Sequence, residues 1–414
     1  MSSRWGWGPS AIENVRVKPR VLMVTGAYFP ETSGGGLQAL AVIRALRGDA
    51  DFAVLTTSAN PSLPERSEED GIPIRRVHVD VQSALSKLTA AARFASAFTG
   101  LAGRIDIVNL HGFSRKAIML AALSRLFGKR FVLTLQTGAH DEPAAARDLG
   151  PLAYWAYTSA DLYLSVSPGL SRAYLNAGLP ASRLRQVCNA VETDRFRPPE
   201  PGEREALRRE LGLPPDLALV LFVGFFSRDK RPDVLYRAWS AIASSDKRSG
   251  LVMIGATRAV HGEVDAALAP AIREQAARDG VADRLFFIES TQTIEKYFRA
   301  ADVYVLPSVR EGLPRALIEA MASGLPSVAS RLEGSTDALI EDHVNGLLIA
   351  PDDEAGMASA IRLLLSDRGV AARLGAAARG TVLERYSIQT TAAAWLAAYK
   401  ELADANTHAA RRDV

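Results

Sequence analysis

Residues 302–330 have the sequence DVYVLPSVREGLPRALIEAMASGLPSVAS, in which two short apolar runs flank a helical segment. The first run, VYVL, leads into a loop that contains an arginine, a glutamate and a glycine. Two buried strands joined by one helix form a parallel strand–helix–strand unit. The stretch therefore predicts a parallel sheet, with a charged loop and the start of a helix at the carboxyl end of one strand.

The same alternation continues on both sides of this stretch. The second half adds the apolar runs LALVLFVGF, GLVMIG, RLFFIE and GLLIA, and the first half has RVLMVTG, DFAVLTT, IRRVHVD, DIVNLHG, RFVLTLQT, DLYLSVS and LRQVCNAV. Helical or turn-forming sequence separates these runs, as is typical of doubly wound parallel sheets. We therefore predict an α/β protein with two doubly wound parallel-sheet, Rossmann-like domains that face each other across a cleft.

The proline-rich segment RPPEPG at residues 197–202 separates the two halves. Its prolines and glycine fit neither a helix nor a central strand, so we expect a linker there. The expected segments are a mobile leader at 1–18, an acceptor-side domain at 19–198, a donor domain at 199–385, a C-terminal helix at 386–404 that packs back on the first domain, and a polar tail at 405–414.

Composition and charge narrow the class of protein. The chain has 414 residues, 48% of them hydrophobic, and a formal net charge of only +3, which gives no reason to expect nucleic acid as a partner. Cys188 is the single cysteine, so the chain can form no internal disulfide, and we expect a cytoplasmic protein. The longest apolar run is too short to cross a bilayer.

The stretch at residues 302–330 contains two glutamates. Glu311 lies in the loop and Glu319 about one turn inside the helix, whose first turn suits Pro314. Free amides at a helix start bind phosphate, and carboxylates accept hydrogen bonds from sugar and ribose hydroxyls. The alternative interpretation is a surface glutamate beside a helix-capping one.

Glu311, Glu319 and the following AMASGLP resemble the signature of retaining glycosyltransferase family four, which has the GT-B fold. The resemblance implies that Glu311 lies near the transferred sugar and is catalytic, and that Glu319 lies near the ribose of the nucleotide. It also implies that Gly312, Leu313 and Pro314 contact the donor.

A second stretch, VLFVGFFSRDKRPDVLYRAW, carries two cations from a strand end towards a helix start. The strand ends at Gly224, and Arg228 and Lys230 follow it. Cations at this position would neutralise a departing diphosphate. The family commonly has an arginine directly after the equivalent glycine, where this chain has Phe225, so Arg228 is expected to replace it. A solvated basic turn is the alternative.

The stretch VTGAYFPETSGGGLQALAVIRAL places Gly34, Gly35 and Gly36 between the first strand and the first helix. Backbone without side chains can closely approach a phosphate or a sugar. The resemblance implies that this loop, with Gly35 and Gly36, closes over the donor diphosphate. A flexible loop without a ligand is the alternative.

Two histidines and a glutamine follow strands of the first half. His111 follows DIVNL, and Gln136 and His140 follow FVLTL, so all three are expected at the carboxyl edge of the first sheet, on the acceptor side. The family often has a catalytic histidine in this region. His140 is the candidate for that role, although Gln136 could occupy its place, and structural histidines are the alternative.

Two further segments resemble the family with differences. CNAVETDRFRP contains Asn189 in a turn where Ala190 and Glu192 replace the usual glycine and aspartate. Downstream, Glu333 and Gly334 precede another expected helix start and could contact phosphate or sugar.

Asp49 and Asp51 form an aspartate-x-aspartate string, the pattern that binds manganese in a different transferase fold. Here the string lies between a helix end and a strand start, where chance explains it better. We therefore expect neither a metal nor another cofactor. The expected function is transfer of a sugar, with retention, from a UDP- or GDP-linked donor to a hydroxyl of a glycan or lipid-linked saccharide. A sugar-nucleotide epimerase and a non-catalytic sugar-nucleotide-binding protein are the alternatives.

Two segments, QSALSKLTAAARFASAFTGLAGR and SRKAIMLAALSRLFGKR, combine apolar and basic residues without any acidic residue. Such segments favour contact with an anionic membrane surface. Helices that cover a sheet explain the same pattern.

Overall fold

The computed structural model describes residues 18–31, 34–80, 83–257 and 264–410. The expected leader lies outside the described residues except for Lys18, and so do the last four residues of the expected tail. Within the described ranges the chain forms two sheets flanked by helices.

The first sheet has eight strands in the order β3-β4-β2-β1-β5-β6-β7-β8. All neighbouring strands are parallel except β3 and β4. Its strands are β1 (Arg20–Thr25), β2 (Asp51–Ser58), β3 (Arg66–Glu69), β4 (Ile72–His78), β5 (Ile107–His111), β6 (Arg130–Leu135), β7 (Leu162–Ser165) and β8 (Leu184–Gln186).

The second sheet has six parallel strands in the order β11-β10-β9-β12-β13-β14. Its central strands β9 and β12 are neighbours, so the loops that follow them lie side by side. The strands are β9 (Ala218–Val223), β10 (Ser249–Ile254), β11 (Leu285–Ile288), β12 (Val303–Leu306), β13 (Ser327–Ser330) and β14 (Leu347–Ile349).

Helices connect these strands and cover the sheets. They are α1 (Gly34–Leu46), α2 (Ala84–Leu101), α3 (Lys116–Leu126), α4 (Pro143–Asp148), α5 (Pro151–Thr158), α6 (Pro168–Asn176), α7 (Glu203–Glu210), α8 (Pro232–Ala243), α9 (Leu268–Arg278), α10 (Ile294–Ala300), α11 (Arg315–Ala322), α12 (Glu354–Ser366), α13 (Arg368–Arg385) and α14 (Ile388–Ala410).

Continuous apolar runs produce the central strands because both faces of each sheet are covered. The middle strands β1, β5 and β6 are buried along nearly their whole length, as strands of a two-sided parallel sheet must be. The predicted fold class, two doubly wound parallel-sheet domains, is confirmed.

The chain returns to the first sheet after α13. Val191 pairs with Ser387 in an isolated parallel bridge, and α14 then packs against α1. Trp395 and Tyr399 of α14 are fully buried in the same apolar cluster as Val21 and Met23 of β1. The helix continues to Ala410, so residues 405–410 of the expected polar tail are helical.

One further expectation is wrong. Gly34, Gly35 and Gly36 form the first turn of α1 and do not precede that helix in a loop. The helix expected near Pro314 is α11, which starts at Arg315 directly after Pro314, its N-cap residue.

Candidate active site

A lysine and a glutamate meet at the carboxyl edge of the second sheet. Lys230, in the segment after β9, places its Nζ 2.6 Å from Oε1 of Glu311, in the loop after β12. The side chain of Glu311 is only 8% exposed. A backbone hydrogen bond of 2.8 Å from Val309 N–H to the carbonyl of Asp229 ties the two segments together. Adjacent parallel strands therefore build this pair from residues far apart in sequence.

Gly224 lies at the end of β9 beneath the lysine. A Cβ atom at this position would lie 3.7 Å from Cγ of Lys230 and 3.1 Å from the ring of Phe222. A Cβ atom here would therefore crowd the Phe222 ring, whereas its distance to the Lys230 side chain would be an ordinary van der Waals contact.

The second glutamate, Glu319, is paired within its own helix. Nε of Arg315 donates to Oε1 of Glu319 at 2.9 Å, across one turn of α11. Burial raises the pKa of the Glu319 carboxyl, and the charge of Arg315 opposes that shift. Nη1 of Arg315 is buried and has no hydrogen-bond partner among the described residues. The pair therefore presents a buried donor that is not yet satisfied.

The start of α11 is fixed from the other domain. Nδ2 of Asn189 donates to the carbonyl of Leu313 at 2.6 Å, directly before Pro314. The turn that contains Asn189 thus positions the residues that precede the helix, although Ala190 and Glu192 replace the family's usual residues.

The loop that follows β6 touches the loop that carries Glu311. A Cβ atom at Gly312 would lie 1.7 Å from the carbonyl oxygen of Gln136, and one at Gly138 would lie 2.8 Å from the carbonyl oxygen of Glu311. Both distances are far below a normal contact, so both positions need glycine. The two glycines allow the loop after β6 and the loop that carries Glu311 to meet across the cleft.

His111 is buried at the end of β5. Its Nδ1 lies 3.1 Å from Nε2 of Gln136, and its ring stacks parallel to Trp395 with ring centres 5.7 Å apart. Burial lowers the pKa of His111 to about 3, so the ring is neutral at ordinary pH. Gly35 lies against the same pair, because a Cβ atom there would be 3.8 Å from both Gln136 Oε1 and His111 Cβ.

His140 has a partner that the sequence analysis missed. Its Nδ1 lies 2.9 Å from Oδ1 of Asp141, whose side chain is fully buried. The Asp141 carboxylate also accepts the backbone N–H groups of Phe113, Gln136 and Thr137. This carboxylate therefore fixes the loop and orients the exposed imidazole above it. The only sequence signal was the dipeptide HD after a strand.

Arg228 is not brought to the ion pair of Lys230 and Glu311. Its side chain is 89% exposed, and its Nε lies 3.2 Å from Oδ2 of Asp265. Instead Arg310, which the sequence analysis did not select, forms an ion pair with Asp229 beside Lys230.

Glu333 and Gly334 contact the first domain. The N–H of Gly169 in α6 donates to the carbonyl of Gly334 at 2.9 Å, and Arg172 pairs with Glu333 at 3.2 Å. The segment thus forms a second contact between the domains.

Two features are absent from the residues that the structure describes. Within the described ranges, no group of three or more histidine, cysteine, aspartate and glutamate side chains is arranged to hold a metal ion. In the same part of the chain no helix has the length and apolar character needed to cross a membrane.

Family models match most of the chain. Residues 203–381 match glycosyl transferases group 1, and residues 33–190 match the glycosyl transferase 4-like domain. With the two facing sheets, these matches define a GT-B glycosyltransferase. The chain belongs to the glycosyl transferases group 1 family, which confirms the resemblance seen in the sequence.

Curated relatives agree with this assignment. A D-inositol 3-phosphate glycosyltransferase of Geodermatophilus obscurus is 30% identical over 387 residues, which are 86% of this chain and 82% of that protein. D-inositol 3-phosphate glycosyltransferase 2 of Catenulispora acidiphila is 37% identical over 194 residues, but these are only 45% of this chain and 44% of the relative.

Solved structures share the fold. Sucrose-phosphate synthase from Thermosynechococcus elongatus superposes with a TM-score of 0.79 at 20% identity, covering 94% of this chain and 100% of that one. Anabaena HepE in complex with UDP-glucose gives a TM-score of 0.75 at 20% identity, covering 94% and 99%.

Proposed function

We propose that the chain transfers a glycosyl unit, with retention at the anomeric carbon, from a UDP- or GDP-linked sugar to a hydroxyl of an acceptor in the cleft. The observation that carries this proposal is the ion pair of Lys230 and Glu311 at the edge of the second sheet. The donor is held by the domain at 199–385 and the acceptor by the domain at 19–198.

Lys230 supplies the charge that the leaving group needs. When the bond between C1 of the sugar and the phosphate oxygen breaks, negative charge builds on the diphosphate. A fixed ammonium group in a water-poor cleft stabilises that charge. The acceptor oxygen then bonds to C1 on the same face, and its proton passes to the departing phosphate.

Glu311 is positioned for the transferred sugar. Its carboxylate neutralises Lys230, and we expect a bound diphosphate to compete with it for the ammonium group. The carboxylate then accepts hydrogen bonds from sugar hydroxyls and lies near the positive charge that develops on the ring.

Arg315 and Glu319 are the proposed contacts of the nucleotide. The buried Nη1 of Arg315 has no partner among the described residues, which is costly unless a ligand accepts from it. Oε1 of Glu319 already accepts from Arg315, and the carboxylate has further acceptor positions for ribose hydroxyls.

His140 and Asp141 are the proposed acceptor-side pair. The buried carboxylate of Asp141 lies 2.9 Å from Nδ1 of His140 and orients the imidazole, which we assign to the acceptor hydroxyl. This pair lies near the loop of Glu311. Gly138, two residues before His140, contacts that loop across the cleft.

The names of similar proteins favour a donor and widen the range of acceptors. HepE is described in complex with UDP-glucose, which makes a UDP sugar the first donor to test. The curated relatives act on D-inositol 3-phosphate by their names. A saccharide, a lipid-linked saccharide and a small phosphorylated polyol are the acceptors to compare, in a role in polysaccharide or glycoconjugate synthesis.

Peripheral contact with the inner face of a membrane is a further part of the proposal. Leu85 and Leu88 of α2 are each 71% exposed and flank Lys87. At the end of α3, Leu126 is 75% exposed close to Lys129. Exposed leucines next to lysines suit an anionic interface. Flotation with anionic vesicles tests this, and the variant with Leu85→Ser and Leu88→Ser should float less.

Transfer is tested in two stages. A thermal-shift screen of nucleoside diphosphates and their sugars identifies the donor, because a ligand that binds the native state raises the melting temperature. The chosen donor is then incubated with and without acceptors. Transfer with retention requires a product only when acceptor is present, with the anomeric configuration of the donor. An isomerised sugar formed from donor alone would instead indicate an epimerase.

A further inference from the structure

Lys116 is a cation on the acceptor side that the proposed chemistry does not yet use. It is the first residue of α3 and is half-buried. Its Nζ donates to Oγ1 of Thr57 at 2.8 Å, and that hydroxyl donates to the carbonyl of Gly26 at 2.7 Å. Thr57 is the second-last residue of β2, and Gly26 directly follows the last residue of β1. The ammonium group therefore lies at the carboxyl edge of the first sheet.

In the part of the chain that the structure describes, this ammonium group has no carboxylate beside it. Among the described residues, no aspartate or glutamate lies within ion-pair distance of Lys116, and Thr57 is its only hydrogen-bond partner. By contrast, Lys230 and Arg315, at the edge of the second sheet, each form an ion pair with a glutamate. Burial lowers the pKa of Lys116 to about 8, which reflects the cost of removing this charge from water.

The start of α3 adds to this positive potential. Arg115 caps the helix without any side-chain hydrogen bond, and the first turn contains no acidic residue. Cations are unfavourable at the positive end of a helix dipole, where anions are favoured. Two consecutive basic residues at this end, one of them half-buried, leave an excess of positive charge that a bound anion would neutralise.

We propose that Lys116, held in place by Thr57, binds an acidic group of the acceptor, either a phosphate monoester or a carboxylate. The proposal rests on the proposed function, because it assigns the substrate of the first sheet. The acceptor is favoured over the donor diphosphate because Lys116 belongs to the first sheet, whereas Lys230 and Arg315 belong to the second. Lys116 is thus a specificity residue of the acceptor site.

The test uses the full chain saturated with the nucleoside diphosphate that raises its melting temperature most. The probes are D-glucose, D-glucose 6-phosphate, D-glucuronate and inorganic phosphate, titrated by calorimetry. The two charged sugars distinguish a phosphate from a carboxylate, and the bound nucleotide keeps the probes out of the diphosphate site. The variants are Lys116→Met, Lys116→Arg and, as a charge-matched control, Lys18→Met, because Lys18 is exposed before β1 at the opposite edge of the same sheet.

At least one charged sugar should bind the unaltered chain about tenfold more tightly than D-glucose, since an added charged hydrogen bond is worth that much. Lys116→Met should remove the difference, whereas Lys116→Arg and Lys18→Met should keep it. Equal binding of charged and neutral sugars, or a preference that survives in Lys116→Met, would overturn the proposal.

The same titrations separate this proposal from the proposed function. If Lys116→Met retains both the charged-sugar preference and the shift with nucleoside diphosphate, the donor site stands and the acceptor inference fails. If no nucleoside diphosphate shifts any variant, the proposed function fails, and the probes are then titrated without nucleotide to test Lys116 alone.

Discussion

Nζ of Lys230 lies 2.6 Å from Oε1 of Glu311, although the two residues are 81 positions apart in the sequence. They come together because β9 and β12 are neighbours in a parallel sheet and end at the same edge. The loop that carries Glu311 contacts the loop of Gln136 in the first domain, so the charged pair lies at the cleft between the domains.

Loss of the Lys230 charge should slow transfer strongly. Lys230→Ala should reduce kcat about 100-fold to 1,000-fold, because the diphosphate loses its fixed cation in the transition state. Lys230→Arg should retain part of the rate. Initial rates at saturating donor measure the effect, and Lys247→Ala, an exposed lysine in a turn of the same domain, is the control. An unchanged kcat in Lys230→Ala would exclude this role.

Glu311→Gln should lower kcat without loss of nucleoside diphosphate affinity, since the carboxylate is assigned to the sugar and competes with the diphosphate for Lys230. The loss of a charged hydrogen-bond acceptor near the reacting centre is expected to cost about 10-fold or more. Steady-state rates combined with calorimetric titration of the nucleoside diphosphate separate the two effects. A large loss of diphosphate affinity with a normal kcat would contradict the assignment.

Gly312→Ala should impair catalysis through the backbone alone. The added Cβ would lie 1.7 Å from the Gln136 carbonyl oxygen, so the two loops must separate. A displacement of about 1 Å at a reacting site can cost about 100-fold in rate. Gly100→Ala is the matched control, because no atom lies within 4 Å of the Cβ position there. Equal rates in the two variants would show that the loops need not touch during turnover.

Glu319 should make the chain selective for ribose. The unaltered protein is expected to bind UDP about tenfold more tightly than its 2′-deoxy or 3′-deoxy analogue, the value of one hydrogen bond to a charged group. Glu319→Gln should reduce that ratio towards one. Calorimetric titration provides the numbers, and a ratio unaffected by Glu319→Gln would place the ribose elsewhere.

Because of His111, the free energy of unfolding should depend on pH in the acid range. Burial lowers its pKa from 6.5 to about 3, so between these values the unfolded chain binds a proton that the folded chain does not. The free energy of unfolding therefore falls as pH drops below 6.5, by up to about 1.4 kcal/mol per pH unit from this group. Denaturant unfolding of the parent and His111→Gln at pH 7 and pH 5 tests this. The variant should lose less stability on acidification, whereas equal losses would contradict a buried neutral ring.

The central strands could be predicted because their apolar runs are long and both sheet faces are buried. The edge strand β3 could not, because RSEE has no apolar pattern and pairs through its backbone with β4. The glycines at 34–36 were expected in a loop on local propensity. In the structure Gly36 is buried at the start of α1, so tertiary packing outweighs the cost of about 1 kcal/mol per helical glycine.

The sequence located the edge of the sheet at which the site lies, but not every side chain that contributes to it. Strand ends indicated the edge at which Lys230 and Glu311 lie, but a run such as RDKR does not indicate which cation faces the ligand. Arg228 is exposed and Arg310 lies beside Lys230 instead. Asp141 was missed since its role depends on three backbone N–H groups that only the folded loop brings together.

The most direct measurement is a crystal structure of the chain with the nucleoside diphosphate sugar that the thermal-shift screen selects. The diphosphate should lie within about 3.2 Å of Nζ of Lys230. In the same complex the sugar should contact Glu311 and the ribose should contact Glu319. A diphosphate bound to the first sheet, away from Lys230 and Glu319, would contradict the proposed donor site.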